Sequence, residues 1–187
     1  MSAPETGIAL ASCPADLVEL VAFRGRDADL GQLAAGWGAT LPGRGTVVAS
    51  AEGLALSVRP GRWLLLSPRA TAGESVARWT GACQGCGAAV DLSSALAAFL
   101  LRGPAVAPVL ARACRLDLDT FPSGSAAATI MVQVPAILAR LTPGMLLLTP
   151  ATTAQHLRDW LVETSRPFGL AQDSDAAVSD WCGESST

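Results

Sequence analysis

The sequence predicts an α+β fold built from two ferredoxin-like half-domains, and two observations lead there. The first is a repeat. Arg24-Gly25 returns as Arg102-Gly103, Leu41-Pro42 as Phe121-Pro122, Trp63-Leu64-Leu65-Leu66-Ser67-Pro68 as Met145-Leu146-Leu147-Leu148-Thr149-Pro150, and Trp79 as Trp160, at offsets of 78, 80, 82 and 81. Four landmarks in one order mark a duplication. A period this long exceeds the roughly 20–50 residues of a solenoid unit, so two halves around one core are expected. The second observation is that strand-like and helix-like runs follow the same order in each half, as in a split strand-helix-strand unit.

In the first half, residues 17–23 are short, apolar and Val-containing, which suits a buried strand. Residues 27–35 follow as a helix stopped by Gly36 and Gly38. Residues 46–49 and 54–58 are strands about the turn at Glu52-Gly53, and Pro60-Gly61 turns the chain into a further strand at 63–67. Thr71-Ala72-Gly73-Glu74 has capping-box spacing and opens a helix carrying Val76 and Trp79. In the second half, residues 96–101 form a strand ending at Arg102-Gly103. Residues 104–114 read as a helix with Val106, Val109, Leu110 and Ala113 on one stripe, and Pro108 is tolerated in its first turn. A turn at 121–124 precedes a strand at 127–134. Strands at 136–141 and 145–149 then form a hairpin across Thr142-Pro143-Gly144. Thr153 opens the last helix, with Leu157, Trp160, Leu161 and Thr164 on one side, and Pro167 ends it. The domain is therefore drawn at 15–170, with halves of about 15–90 and 91–170. Residues 1–14 and 171–187 are expected to be flexible termini.

Composition bounds the function. A chain of 187 residues buries roughly 70% of its unfolded surface and needs no staple to fold. Charged residues make up 16% and mean hydropathy is +0.39, a poorly solvated surface for a monomer. No apolar run reaches the roughly 18 residues of a membrane span, so the excess apolar surface is expected to face another protein. With a net charge of −3 and no basic cluster, nucleic acid is not an expected partner. Residues 1–14 lack a basic stretch ahead of an apolar one, so no signal peptide and a cytoplasmic location are expected. Five scattered cysteines suit reduced thiols.

Candidate chemistry is sparse. Cys83-Gln84-Gly85-Cys86 is a lone CxxC without a second ligand pair, and reads as a Gly-rich turn. His156 is the sole histidine, so Ser93 and Ser94 beside Asp91 lack the partners of a triad. Asp91 reads as a turn cap, Asp117 and Asp119 as solvated loop charges, and Gly43-Arg44-Gly45 as a tight turn. Trp79 and Trp160 are expected to pin each last helix to its own sheet. Trp37 and Trp181 fall outside that pattern and are candidate interface anchors.

Several of these runs, taken in order, carry a resemblance: Val90-Asp91-Leu92-Ser93, Leu101-Arg102-Gly103-Pro104, Cys114-Arg115-Leu116-Asp117-Leu118, Phe121-Pro122-Ser123-Gly124-Ser125, Leu146-Leu147-Leu148-Thr149 and Leu157-Arg158-Asp159-Trp160-Leu161. With Leu41-Pro42 and Pro60-Gly61-Arg62-Trp63-Leu64-Leu65-Leu66, they resemble the gamma subunit family of heterotetrameric sarcosine oxidases over most of residues 15–170. The resemblance implies the duplicated fold of the aminomethyltransferase folate-binding domain and a non-catalytic subunit of a cytoplasmic flavoenzyme complex acting on sarcosine or a related secondary amine. It implies alpha (large), beta and delta subunits as partners, and these, not this chain, as carriers of FAD, FMN, NAD, tetrahydrofolate and zinc. Active aminomethyltransferases carry an Asn-Ala pair and a catalytic Asp where this chain aligns Thr149, Pro150 and approximately His156. The alternative of a free-standing tetrahydrofolate-binding or aminomethyl-transfer protein therefore lacks its acid. A relative that repairs iron-sulfur clusters uses a motif containing Lys and Tyr, and neither residue occurs here. For a subunit, Trp37, Arg59, Arg62, Arg102, Arg115 and Phe121 are the candidate interface residues, polar groups around an apolar patch.

Overall fold

The computed structural model describes residues 7–50, 53–69, 74–142 and 144–172. Two compact units emerge, and they do not coincide with simple chain halves. One holds residues 14–95. The other holds 96–172 together with 7–13.

The first unit contains β2 (Ala15–Ala22), α1 (Asp27–Gly36), β3 (Thr46–Ser50), β4 (Gly53–Arg59), β5 (Arg62–Pro68), α2 (Glu74–Ala82) and β6 (Gly87–Asp91). Its strands form an antiparallel sheet in the order β3-β4-β5-β2-β6. Alternation along β2 turns Val18 and Leu20 onto the helices, where they meet Leu30 and Ala34 of α1, Trp79 of α2 and Trp63 and Leu65 of β5. Leu17, Leu56, Leu64 and Leu66 are also buried on the opposite face. A strand covered on both sides has no reason to alternate, which explains the continuous run at 63–66. The Trp63 indole donates to the Pro42 carbonyl at 2.8 Å, tying two repeat landmarks together. Helix α1 ends where Gly38 takes φ 77°. There the Gly38 and Ala39 amides bond the Ala35 and Ala34 carbonyls in a Schellman motif.

The second unit contains β7 (Leu96–Arg102), α3 (Val106–Leu110), β8 (Ala126–Met131), β9 (Val134–Arg140), β10 (Gly144–Pro150), α4 (Ala151–Ser165), a single 3-10 turn (Arg166–Phe168) and β11 (Leu170–Gln172). Its sheet runs β8-β9-β10-β7-β1-β11, where β1 is Ile8–Ser12. The first four places repeat the order of the other sheet. The place that β6 takes beside β2 is filled here by β1, antiparallel to β7, and β11 pairs with β1 in parallel. The core joins Ile8 and Leu10 of β1, Phe99 and Leu101 of β7, Leu138, Met145, and Leu157 and Leu161 of α4.

Each unit has a hydrophobic cluster of its own. Several expectations are corrected. Residues 8–12, read as part of a flexible terminus, are β1, because β7 would otherwise leave one row of backbone groups unpaired. Residues 171–172 belong to β11, and 173–187, with Trp181, lie outside the described residues. The boundary between halves falls at 95/96 rather than 90/91. β6 was not foreseen. The helix read at 104–114 is regular only over Val106–Leu110, after which the Arg112 and Ala113 amides bond three residues back in tighter turns. The strand read at 127–134 breaks at Val132-Gln133, both at positive φ (48° and 66°), the signature of a two-residue type I′ hairpin. α4 starts at Ala151, directly after β10. Thr71 to Gly73 of the capping box lie outside the described residues.

Candidate interaction surface

The groups that could carry chemistry are engaged in holding the fold. Cys83 and Cys86 close α2 and are both buried, and the Cys86 thiol donates to the Cys83 carbonyl at 3.4 Å. Burial, and then the neighbouring Cys86, push the Cys83 thiol up to about 11, so it stays protonated and is a poor nucleophile or ligand at neutral pH. Among the described residues no group of three or more His, Cys, Asp or Glu side chains is placed to hold a metal ion. The Ser93 hydroxyl accepts from the Leu17 amide at 3.0 Å, and Asp91 Oδ1 accepts from the Ser93 amide at 2.9 Å. This is the turn cap expected of Asp91, and the bond holds its carboxyl below the usual range. Asp117 accepts from the Asp119 amide at 3.2 Å in an exposed loop, and hydrogen bonding, chiefly from Thr120, lowers its pKa.

At the positions aligned with aminomethyltransferase chemistry, Thr149 is buried and donates to the Pro135 carbonyl at 3.0 Å, while His156 is exposed on α4. Asp16 is buried at the start of β2, and its Oδ2 has no hydrogen-bond partner among the described residues. An open cleft of about 270 Å³ lies beside α3, lined by Pro104, Val106, Leu118, Arg140 and Met145. Its charged group is committed: Arg140 Nη1 donates to the carbonyls of Leu118 (2.9 Å) and Phe121 (2.6 Å) and ties that loop onto β9.

The six interface candidates fall into distinct settings. In the first unit, Trp37 is half-buried on Trp79, with ring centroids 5.0 Å apart and the Arg78 guanidinium 5.2 Å from the Trp37 ring. It lies at the margin of the core, with part of its ring still accessible. Arg59 and Arg62 are brought together as register partners flanking the β4–β5 turn. Both are exposed, and Arg62 pairs with Glu19 at 3.1 Å. In the second unit, Arg115 is exposed and Arg102 half-buried at the end of β7, while Phe121 packs partly against its own core. Trp79 is fully buried as expected, but its repeat equivalent Trp160 only partly so.

Sequence reasoning missed the exposed large apolar side chains: Phe23 (48%), Val90 (44%) and Ile130 (57%). For Ile130 a signal was available, because residues 120–139 contain no charged side chain. Reading 127–134 as one strand hid which of its residues face outward. Among the described residues no helix is long and apolar enough to cross a membrane.

Comparison with known proteins bears on this arrangement. No family model matches the chain. A curated protein from an Arthrobacter species, the gamma subunit of a sarcosine oxidase, is 33% identical over 143 residues, covering 73% of this chain and 69% of the relative. Among solved structures, a heterotetrameric sarcosine oxidase from Corynebacterium sp. U-96, in complex with pyrrole 2-carboxylate, is similar with a TM-score of 0.76. The identity is 25%, covering 91% of this chain and 90% of the matched one. Aminomethyltransferase T of the glycine cleavage system of Bartonella henselae matches with a TM-score of 0.67 at 16% identity, over 90% of this chain and 48% of that one, a likeness of fold.

Proposed function

Because the chain belongs to the sarcosine oxidase gamma subunit family, we propose that it is the non-catalytic subunit of a heterotetrameric flavoenzyme that oxidises sarcosine or a related secondary amine. In this reading it packs on the large (alpha) subunit and stabilises it, with beta and delta subunits completing a cytoplasmic complex. FAD, FMN, NAD, tetrahydrofolate and zinc are assigned to those partners and none to this chain. The observation that carries the reading is the 33% identity to a gamma subunit, extended in three dimensions by the likeness to the Corynebacterium enzyme. The low charge of the chain supports it independently, since a poorly solvated surface is stabilised by a protein neighbour. The free-standing folate-binding alternative is not favoured. Its relative is matched at the level of fold alone, and Thr149 and His156 occupy the aligned positions without an acid.

The test is purification of the tagged chain from its native host, with the visible absorption spectrum and subunit masses of whatever accompanies it. A yellow complex containing larger flavin-bearing chains that oxidises sarcosine or a relative is the expected result. A colourless chain recovered alone overturns the proposal.

A further inference from the structure

We propose that the open edge and outer face of the β8–β9 hairpin are the surface on which a partner subunit docks, the partner contributing an uncharged, apolar segment in extended conformation that lies along β8. This inference rests on the reading of the chain as one subunit of a larger complex. β8 is the last strand of its sheet, so along 126–131 the backbone groups that point away from β9 form an unpaired row. Soluble chains guard such edges with charges, prolines or bulges. β8 has none of these: Ala126–Met131 carries no charge or proline, and it pairs with β9 in unbroken register from Ala126 opposite Ala139 to Met131 opposite Val134.

The face of the hairpin turned away from the core adds an apolar patch. Ala128 lies opposite Ile137 and Ile130 opposite Pro135, with Ala128, Ile130 and Pro135 exposed and Ile137 half-exposed. Ile130, at 57%, is the most exposed of the large apolar side chains described. Charge decides the kind of partner. With no charged residue between 120 and 139, a partner's carboxylate or guanidinium would be desolvated here without a counter-charge, a cost that an uncharged segment avoids. An edge that offers backbone groups at strand spacing, beside an apolar face, is suited to strand addition.

The duplication supplies internal comparisons. The equivalent edge strand β3 exposes only the small Thr46 and Ala49. At the other edge of that sheet, Val90 lies opposite Glu19, whose carboxylate is paired with Arg62 at 3.1 Å, a charged and solvated setting.

The experiment is co-purification of partner chains with tagged wild type, Ile130→Lys and Val90→Lys. Ile130→Lys is expected to lower the recovery of partner per tagged chain by about tenfold or more, as for a residue central to an interface, and Val90→Lys to leave it unchanged. Wild-type ratios with Ile130→Lys overturn the surface while leaving the subunit reading intact. Absence of any flavin-bearing partner with wild type overturns the subunit reading and this surface with it. Should Ile130→Lys fail to fold, hydrogen exchange on the wild-type complex decides. Slowing of the 126–131 amides relative to the isolated full chain is expected, and unchanged exchange there overturns the proposal. Dimerisation of the isolated chain that Ile130→Lys abolishes, with partner recovery intact, also overturns it, since a second copy would be the occupant.

Discussion

Gly25 and Gly103 follow the same arginine in the two units, and both hold positive φ, 77° and 112°. The repeat of Arg-Gly is thus a repeat of a turn after β2 in one unit and after β7 in the other. Their surroundings differ. A Cβ on Gly103 would lie 2.6 Å from the Gly7 carbonyl oxygen, which is backbone and cannot move aside, whereas nothing lies within 4 Å of one on Gly25. Gly25→Ala is expected to cost about 1 kcal/mol of backbone strain and Gly103→Ala clearly more, measured as the difference in urea midpoints at constant slope. Equal losses would remove the close approach of Gly7 from the account. Cys83 gives a pH-dependent prediction. Its thiol is raised from an ordinary 9.0 to about 11, so above pH 9 the unfolded chain releases a proton that the folded chain retains. Stability is full below pH 9 and falls as pH rises through 11. Denaturant midpoints measured over that interval should decline more steeply for wild type than for Cys83→Ala, and parallel declines would count against a buried, protonated thiol.

The strands and helices show where local signals end. The turn between β8 and β9 uses Val132 and Gln133 at φ 48° and 66°, although the left-handed region disfavours side chains by about 1–2 kcal/mol each. Val132 repays part of that by packing against the core, while Gln133 is exposed. Gln133→Gly is therefore expected to stabilise the chain by about 1 kcal/mol in chemical denaturation, and a loss of stability would mean that the glutamine makes a compensating contact. The same reasoning explains the misreading of 127–134 as one strand. A type I′ turn normally announces itself by Asn-Gly or a relative, and Val-Gln carries no such mark. Elsewhere the marks were present: Gly38 ended α1, Pro60-Gly61 turned the chain, and Asp91 capped the turn after β6.

Across the whole molecule, the chain passes from one unit to the other near residue 13 and returns near residue 95, so β1 serves a sheet whose other strands lie at 96–172. Deleting residues 1–13 leaves β7 with β10 as its one remaining neighbour and β11 without its pairing strand, and removes Ile8 and Leu10 from the core. Hydrogen exchange of the truncated chain is expected to show protection lost mainly in 96–172 rather than in 14–95. Uniform loss, or none, would contradict the assignment of β1. At this scale, a chain with only 16% charged residues and an undefended edge at β8 agrees with adaptation to a partner.

Duplication, α+β composition and most element positions were legible in the residues, because each half carries the same turn chemistry and the same doubly buried Leu-Leu-Leu strand, and such signals act over a few neighbouring residues. The order of landmarks also carried the resemblance to the family. The candidate surface was much less legible. The neighbours of the interface candidates were not legible: Trp37 packs on Trp79, Phe121 lies partly against its own core, and Arg62 is engaged by Glu19, 43 residues distant in the chain. Only the tertiary structure could decide that β1 completes the second sheet and that β8 ends it. Strand pairing joins backbone groups far apart in sequence, and every non-proline residue carries the same amide and carbonyl, so no side-chain pattern records which strand lies beside which.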